Sequence, residues 1–191
     1  MSLAYPDFML VKITKLTLFQ GAQELCKRDE DLARIVNEIG LPSLRSRAPG
    51  YNAILRIIIG QQISISAANA ISTRLASIQN PMTCKTVLKL GPDRLRSVGF
   101  SAPKAKYAMG IAEAIENGEF SFRRVAKMTD HAAIEEMIKL KGIGRWSAEV
   151  YLLFALRRPD LWPVDDLGII KGYTHLKGLN QYPDRKQMIE I

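Results

Sequence analysis

The amino-acid sequence predicts an all-α fold, and three patterns lead to that prediction. Apolar residues recur at helical spacing through most of the chain after Thr17. The clearest run is Leu32, Ile35, Val36 and Ile39. Residues that favour helix starts, and glycines that favour helix ends, stand between these periodic segments. No segment after residue 20 alternates apolar and polar residues as a strand does, so we expect no β-sheet core.

Four helices are predicted in the first half of the chain. Their predicted starts are, in order, Thr17, Asp29 or Asp31, Pro49 and Ser64. Gly40 is predicted to end the second helix, because glycine readily adopts the left-handed conformation of a helix C-terminus. The turn Gly60-Gln61-Gln62-Ile63 separates the third helix from the fourth, which is rich in small residues and ends near Gln79. Residues 1–16 show no clean period and are left unassigned.

The second half of the chain is predicted to be helical as well. The predicted starts are Thr83, Pro92, Ser101 and Thr129, and the predicted ends are Gly91, Gly99, Gly118 and Lys139. A helix from Arg145 to Leu156 follows, and then a loop between Pro159 and Pro163. Asp165 is predicted to cap a short helix, and Pro183 to start a last one that breaks off at Ile191.

Gly142 and Gly144 flank one apolar residue between two of these predicted helices. The arrangement predicts a tight hairpin over about 134–156, whose second helix begins with unpaired backbone N–H groups at its positive end. A DNA phosphate fits such a helix start, since glycine lets a strand approach the backbone closely. The alternative is that Gly142 alone provides a left-handed helix end and a tight turn.

Composition narrows the function classes. With 191 residues, 47% of them hydrophobic and 24% charged, the sequence is typical of a globular protein. The net charge of +8 favours a polyanionic partner, although a basic surface that serves solubility is the alternative. Two cysteines exclude a four-cysteine cluster or zinc knuckle and indicate a reducing compartment. No apolar run approaches the ~18 residues of a membrane span, so we expect an intracellular protein.

Four short segments carry a resemblance to a known family. Residues 140–148, 162–166, 60–64 and 31–33 read Leu-Lys-Gly-Ile-Gly-Arg-Trp-Ser-Ala, Trp-Pro-Val-Asp-Asp, Gly-Gln-Gln-Ile-Ser and Asp-Leu-Ala. Together they resemble the helix-hairpin-helix DNA glycosylase superfamily, and within it the short form of the DNA-3-methyladenine glycosylase II family, over roughly residues 17–180. The resemblance implies a single domain over 1–191 with a two-lobed, all-α fold and an active site in the cleft between lobes. It also implies a monofunctional glycosylase of base excision repair that removes alkylated purines such as 3-methyladenine.

The resemblance assigns the catalytic carboxylate to Asp166 and the helix cap to Asp165, with Asp165 as the other catalytic candidate. Breaking an N-glycosidic bond builds positive charge on the deoxyribose, which a carboxylate stabilises, or the carboxylate activates the attacking water. Trp146 stands where strand-cleaving members carry a nucleophilic lysine, so the reaction is expected to stop at the abasic site. Trp146 is predicted to stack on the flipped base, and core packing is its alternative. Tyr151 and Trp162 are further base-pocket candidates, although core packing is favoured for both.

The DNA contacts follow from the same resemblance. Gln62 is expected to be the wedge that fills the gap left by the extruded nucleotide, with Gln61 and Ser64 beside it in a turn that faces the minor groove. A polar interhelical turn is the alternative. Arg145, at the start of a helix, is the favoured phosphate contact. Further lysines that could line the footprint are Lys104, Lys106 and Lys171.

The resemblance implies no required cofactor, but it places a monovalent cation at the hairpin, held by the backbone carbonyls of Ile138, Leu140 and Ile143. The expected partner is double-stranded DNA with alkylated bases, bound by a monomer without a membrane, at the nucleoid of a prokaryote or in a nucleus. Family members usually continue with a closing helix near the pocket, and because the sequence ends at Ile191 we expect this chain to lack it. The alternative function is therefore a non-catalytic DNA-binding or damage-sensing protein.

Overall fold

The computed structural model describes residues 12–191, and this part of the chain contains eleven α-helices and no β-strand. In chain order the helices are α1 (Lys15–Arg28), α2 (Glu30–Ile39), α3 (Tyr51–Gly60), α4 (Ile65–Ala76), α5 (Cys84–Ser97), α6 (Ala102–Glu116), α7 (Phe122–Val125), α8 (Asp130–Ile138), α9 (Arg145–Phe154), α10 (Leu167–Leu176) and α11 (Arg185–Ile189). The first compact unit joins residues 12–46 to 157–191, and the second spans 47–156. The all-α prediction is confirmed.

Helix α3 lies at the centre of the second unit, where it packs against α4, α6 and α9. It is apolar on nearly all sides, as a helix surrounded by others must be, and Ile54, Leu55 and Ile58 are fully buried. Each such side chain contributes roughly 1.5–3 kcal/mol through burial. Two tyrosine hydroxyls join its first turn to the neighbouring helices. Tyr51 donates to the carbonyl of Ala108, and Tyr151 accepts from the N–H of Gly50, each at 2.8 Å.

The first unit contains α1, α2, α10 and α11. No residue of α1, α2 or α10 is fully buried, whereas Met188 of α11 is. A charged cluster links α2 to the end of α10, because the ammonium of Lys177 lies 2.7 Å from a carboxylate oxygen of Asp29 and 2.8 Å from one of Asp31. Within residues 12–191, none of the helices is both long and apolar enough to cross a membrane.

Side-chain caps begin nine of the eleven described helices. In each, a side-chain oxygen accepts a hydrogen bond from an amide of the first turn. The caps of the first unit are Thr14, Asp29, Asp166 and Asp184. The caps of the second unit are Ser64, Thr83, Ser101, Ser121 and Thr129. Helices α3 and α9 begin instead at Gly50 and Gly144, without a side-chain cap.

Several predicted helix limits need correction. The N-caps observed in place of the predicted starts Thr17, Pro49, Asp165 and Pro183 are Thr14, Gly50, Asp166 and Asp184. Thr17 lies inside α1 because its hydroxyl bonds back to Thr14 in a capping box. Asp29 caps α2, which decides between the two predicted candidates. Gly91, with φ 70°, divides α5 as predicted, whereas the short helix α7 was not predicted. Residues 1–11 of the unassigned segment lie outside the described residues.

Candidate DNA interface and active site

The hairpin between α8 and α9 is held in shape by the protein itself. The N–H of Ile143 donates to the carbonyl of Leu140 at 3.0 Å and closes the turn. Gly142 adopts φ +91°, where side chains are disfavoured, and a Cβ there would lie 2.2 Å from Cγ of Tyr107. The structural alternative therefore explains why position 142 carries glycine, whether or not DNA approaches it.

Gly144 differs from Gly142 because nothing inside the protein requires a glycine there. Its φ of −92° suits any residue, and an added Cβ would meet no atom within 4 Å. Gly144 and Arg145 are exposed, so α9 begins at the surface without a side-chain cap. The other uncapped helix, α3, begins at the buried Tyr51. A helix start that is both open and uncapped fits an external anion.

Arg145 lies on the first turn of α9, beside this helix start. Its Nε donates to Oε1 of Glu149 at 2.8 Å, one turn along the helix. The Arg145 side chain is 52% exposed, whereas the Glu149 side chain is 7% exposed. The two terminal amino groups of the guanidinium make no hydrogen bond within the described residues, so they remain able to bind a phosphate oxygen. Arg145 as a DNA contact stays a prediction.

The turn Gly60-Gln61-Gln62-Ile63, called the wedge turn below, is tied to the hairpin through one side chain. Nε2 of Gln61 donates to the carbonyl of Gly142 at 2.9 Å and to Oγ of Ser147 at 3.0 Å. Gln62 is exposed and adopts φ +56°, a left-handed conformation that costs a non-glycine residue of order 1 kcal/mol. The structure thus brings two predicted DNA elements together and leaves Gln62 on the surface.

Ser64 and Lys104 flank the wedge turn with structural hydrogen bonds. The hydroxyl of Ser64 caps α4 by accepting from the N–H of Ala67 at 3.2 Å. The ammonium of Lys104, on α6, donates to the carbonyls of Ile59 and Gln61, at 2.7 Å each. Burial lowers the pKa of Lys104 from its ordinary value. Lys104 therefore stabilises the carbonyl end of α3 rather than lining a phosphate footprint, and no feature of the sequence indicated this pairing.

Asp166 is the N-cap of α10 and lies in the first unit. Its Oδ1 accepts hydrogen bonds from the N–H groups of Gly168 at 2.8 Å and Ile169 at 3.1 Å. The N–H of Asp166 donates to the carbonyl of Pro163 at 2.9 Å, and this turn makes Asp166 the last residue before the helix. The prediction that Asp165 is the cap is therefore wrong, since Asp165 is exposed and pairs with Arg185.

The predicted base-pocket aromatics have three different environments. Trp146 is half-buried on α9. Tyr151 is fully buried, and its ring stacks on Phe122 with centroids 4.9 Å apart, so core packing holds for it. Trp162 is 43% exposed, and its indole N–H donates to the carbonyl of Met188 at 2.7 Å, so it is not a core residue. A base-pocket role for Trp146 and Trp162 stays a prediction.

The predicted cation site rests on backbone carbonyls at the hairpin. Neutral carbonyl oxygens suit a monovalent cation better than Mg²⁺ or Ca²⁺, which prefer carboxylates. The carbonyl of Leu140 accepts the N–H of Ile143, and a carbonyl has a second lone pair for an ion. Residues 12–191 contain no cluster of His, Cys, Asp or Glu able to hold a metal ion. The Leu140 carbonyl is therefore compatible with a monovalent cation, and the cation site on the carbonyls of Ile138, Leu140 and Ile143 stays a prediction.

Comparison with known families decides what the chain is. Residues 55–191 match the profile of the HhH-GPD superfamily of base excision DNA repair proteins. The chain belongs to this superfamily. The match includes the wedge turn, the hairpin and Asp166, and it confirms the resemblance and the fold class predicted from the sequence. It also agrees with the predicted function, a DNA glycosylase of base excision repair.

Relatives are found in fungi, bacteria and archaea. DNA-3-methyladenine glycosylase 1 of Schizosaccharomyces pombe is 34% identical over 186 residues, which cover 93% of this chain and 80% of the relative. A DNA-3-methyladenine glycosylase of Bacillus subtilis is 27% identical, and the match covers 80% of this chain but only 52% of that protein.

Solved structures support the same family assignment. The S. pombe 3-methyladenine DNA glycosylase in complex with abasic DNA superposes with a TM-score of 0.82 at 31% identity, over 90% of this chain and 86% of that one. The 3-methyladenine DNA glycosylase of Archaeoglobus fulgidus gives a TM-score of 0.73 at 27% identity, over 93% of this chain and 66% of that one. Both neighbours share the helical fold described above.

Proposed function

We propose that this protein is a monofunctional DNA glycosylase that binds double-stranded DNA as a monomer and releases alkylated purines such as 3-methyladenine. The observation that carries the proposal is the carboxylate of Asp166, which two amides of α10 hold in one orientation. Membership of the superfamily and the names of the relatives support the reaction class. The protein would act on chromosomal DNA, at a nucleoid or in a nucleus.

Asp166 carries the chemistry in this proposal. The bond between C1′ of the deoxyribose and the base nitrogen breaks, and the base leaves with the bonding electrons. An alkylated purine is already cationic, so it leaves readily without strong acid catalysis. The carboxylate stabilises the positive charge that develops on the sugar and accepts a proton from the attacking water, whose oxygen bonds to C1′. Because its Oδ1 is fixed by hydrogen bonds, little reorganisation is needed during the reaction.

The second unit holds the DNA. The open start of α9 and the guanidinium of Arg145 bind phosphates, and Gln62 enters the space that the extruded nucleotide leaves. Trp146 stacks on the extruded base and, having no amine, forms no Schiff base, so the product is an abasic site. A monovalent cation on the carbonyls of Ile138, Leu140 and Ile143 would add positive charge at the hairpin.

The substitution Asp166→Asn tests the proposal. Asparagine caps helices as well as aspartate does, so α10 should stay intact while the negative charge is removed. We expect the single-turnover release of methylated bases from dimethyl-sulfate-treated duplex to fall at least about 100-fold, with DNA affinity retained. Mass spectrometry of the released bases makes the measurement.

Asp165→Asn is the matched control, because it removes one negative charge from the neighbouring residue, which is exposed and does not cap the helix. The control should release bases at the wild-type rate. If Asp166→Asn and wild type are equally active, the catalytic assignment is refuted. A wild-type protein that binds DNA but releases no base would be a non-catalytic damage sensor.

A further inference from the structure

Three helices of the second unit meet at Gln61. Its backbone carbonyl accepts from the ammonium of Lys104, which comes from α6. Its side-chain amide donates to the carbonyl of Gly142, in the hairpin, and to Oγ of Ser147, in α9. All of these contacts are between 2.7 and 3.0 Å. One residue therefore connects the end of α3 to the hairpin and to α6.

The next residue in the chain is the exposed Gln62, whose left-handed backbone is disfavoured for a non-glycine residue. Such a conformation persists only where neighbouring contacts hold it. The hydrogen bonds of Gln61 and Lys104 lie immediately before Gln62 and provide that restraint. Ser147 is 2% exposed, so its hydrogen bond to Gln61 is shielded from water.

We propose that Gln61 and Lys104 are positioning residues, which fix the distance between the wedge residue Gln62 and the phosphate-binding hairpin. Neither touches the base or the sugar in this role. With this distance fixed, the hairpin binds the phosphates while Gln62 enters the base stack. The two contacts together favour extrusion of a paired nucleotide. The inference rests on the proposed function and gives Gln61 a different role from the DNA contact expected from the sequence.

The test compares two duplexes that differ only in how firmly the lesion is held. One carries 7-methylguanine opposite cytosine, and the other carries the same base opposite an abasic site. Extrusion is easier from an unpaired position, so the wedge matters less in the second duplex. For Gln61→Met we expect the single-turnover rate to fall about tenfold more on the paired lesion than on the unpaired one, because the wedge is misplaced.

Lys104 contacts the wedge turn from α6. Lys104→Met should therefore also slow base release more on the paired lesion than on the unpaired one. Lys104→Arg keeps donors for the carbonyls of Ile59 and Gln61 and should restore most of the rate. Lys89→Met is the charge-matched control. Lys89 is an exposed lysine of α5 that makes no hydrogen bond or ion pair within residues 12–191. Its substitution should leave base release from both duplexes unchanged or slow it by the same factor.

The outcomes distinguish a failure of the proposed function from a failure of the positioning inference. If wild type releases no base from either of these duplexes or from dimethyl-sulfate-treated DNA, the proposed function fails. If wild type is active and Gln61→Met slows base release from both duplexes by the same factor, Gln61 is only a structural residue. The positioning inference is then overturned. A selective loss on the paired lesion, in both Gln61→Met and Lys104→Met, supports it. The melting temperature of each variant is measured beside its rates. A variant that is only destabilised should lose activity by the same factor on both duplexes.

Discussion

The two units of the molecule begin their helices with different chemistry. In the first unit, carboxylates cap α2, α10 and α11, and α1 alone is capped by a hydroxyl, that of Thr14. In the second unit, every described helix begins either with a serine or threonine hydroxyl or with glycine. Carboxylates, hydroxyls and glycine are all suitable at a helix start, but only a carboxylate adds negative charge there.

The contrast between α10 and α9 shows what this difference means for function. The start of α10 already holds an anion, the carboxylate of Asp166, so its amides serve to fix that group. The start of α9 has no side-chain anion, so its positive end remains open to an anion from outside. One helix start therefore suits a reacting carboxylate, and the other suits a phosphate.

The substitution Gly144→Asp would make the start of α9 resemble that of α10. A Cβ fits at this position, and an aspartate cap should raise the free energy of unfolding by about 0.5 kcal/mol. The same carboxylate would repel a phosphate, so we expect affinity for duplex DNA to fall roughly 100-fold. Thermal melting and fluorescence-polarisation titrations make the two measurements.

Gly144→Asn separates charge from shape, because asparagine has the size of aspartate without its charge. Its affinity should lie between those of wild type and Gly144→Asp. Gly142→Ala is not an equivalent test, since a side chain there would collide with Tyr107. Unchanged DNA affinity in Gly144→Asp would show that no phosphate binds at α9.

The pair Gly168→Ala and Gly172→Ala tests whether the exact placement of the Asp166 carboxylate matters. A Cβ at position 168 would lie 3.0 Å from Oδ1 of Asp166, whereas a Cβ at position 172 would meet nothing within 4 Å. We expect Gly168→Ala to slow base release about fivefold, because the carboxylate must shift by a few tenths of an ångström. Single-turnover kinetics make this measurement.

Gly172→Ala is the control on the same helix. It should stabilise α10 by up to about 1 kcal/mol and leave the rate of base release unchanged. Equal rates in both variants would mean that the position of Oδ1 is not critical.

Acid should affect α2 before α4 or α6, because α2 begins at the ion-paired carboxylate of Asp29, whereas α4 and α6 begin at serine hydroxyls. The hydrogen bond from Lys177 is the main cause that lowers the pKa of Asp29 and of Asp31 below the ordinary value of 3.8. A lowered folded pKa means that these groups stabilise the fold above about pH 3.8 and lose that effect as pH falls through the lowered values. Hydrogen exchange with mass spectrometry, at a series of acidic pH values, should show α2 opening before α4 or α6.

Lys177→Met is the matched variant for this measurement. It should melt at a lower temperature than wild type near neutral pH, and the difference should shrink as the carboxylates become protonated. A difference that is the same at every pH would show that the cluster of Lys177, Asp29 and Asp31 does not contribute through charge.

Features that depend on residues close together in the chain could be predicted from the sequence. The periodic apolar segments, the break at Gly91 and the tight turn at Gly142 all depend on residues close in the chain, and the structure contains each of them. The cap of α10 was wrongly predicted as Asp165 instead of Asp166, because the position of the cap depends on the turn that the carbonyl of Pro163 closes.

The hydrogen bonds of Gln61 and Lys104 were beyond sequence reasoning for a different reason. Gln61 bonds to Gly142, and Lys104 to Ile59, across long stretches of chain, and each resembles an ordinary surface residue. Only the packing of α3 against α6 and α9 brings these groups within reach. Long-range polar contacts of this kind have no periodic signature.

The contact between Tyr107 and position 142 restricts the order in which the two residues can change during evolution. A smaller residue in place of Tyr107 would leave a void that neighbouring atoms can partly fill. That change would not admit a side chain at position 142, because the backbone there would still be left-handed. Tyr107 is therefore open to drift, whereas the glycine stays fixed until the turn itself is rebuilt.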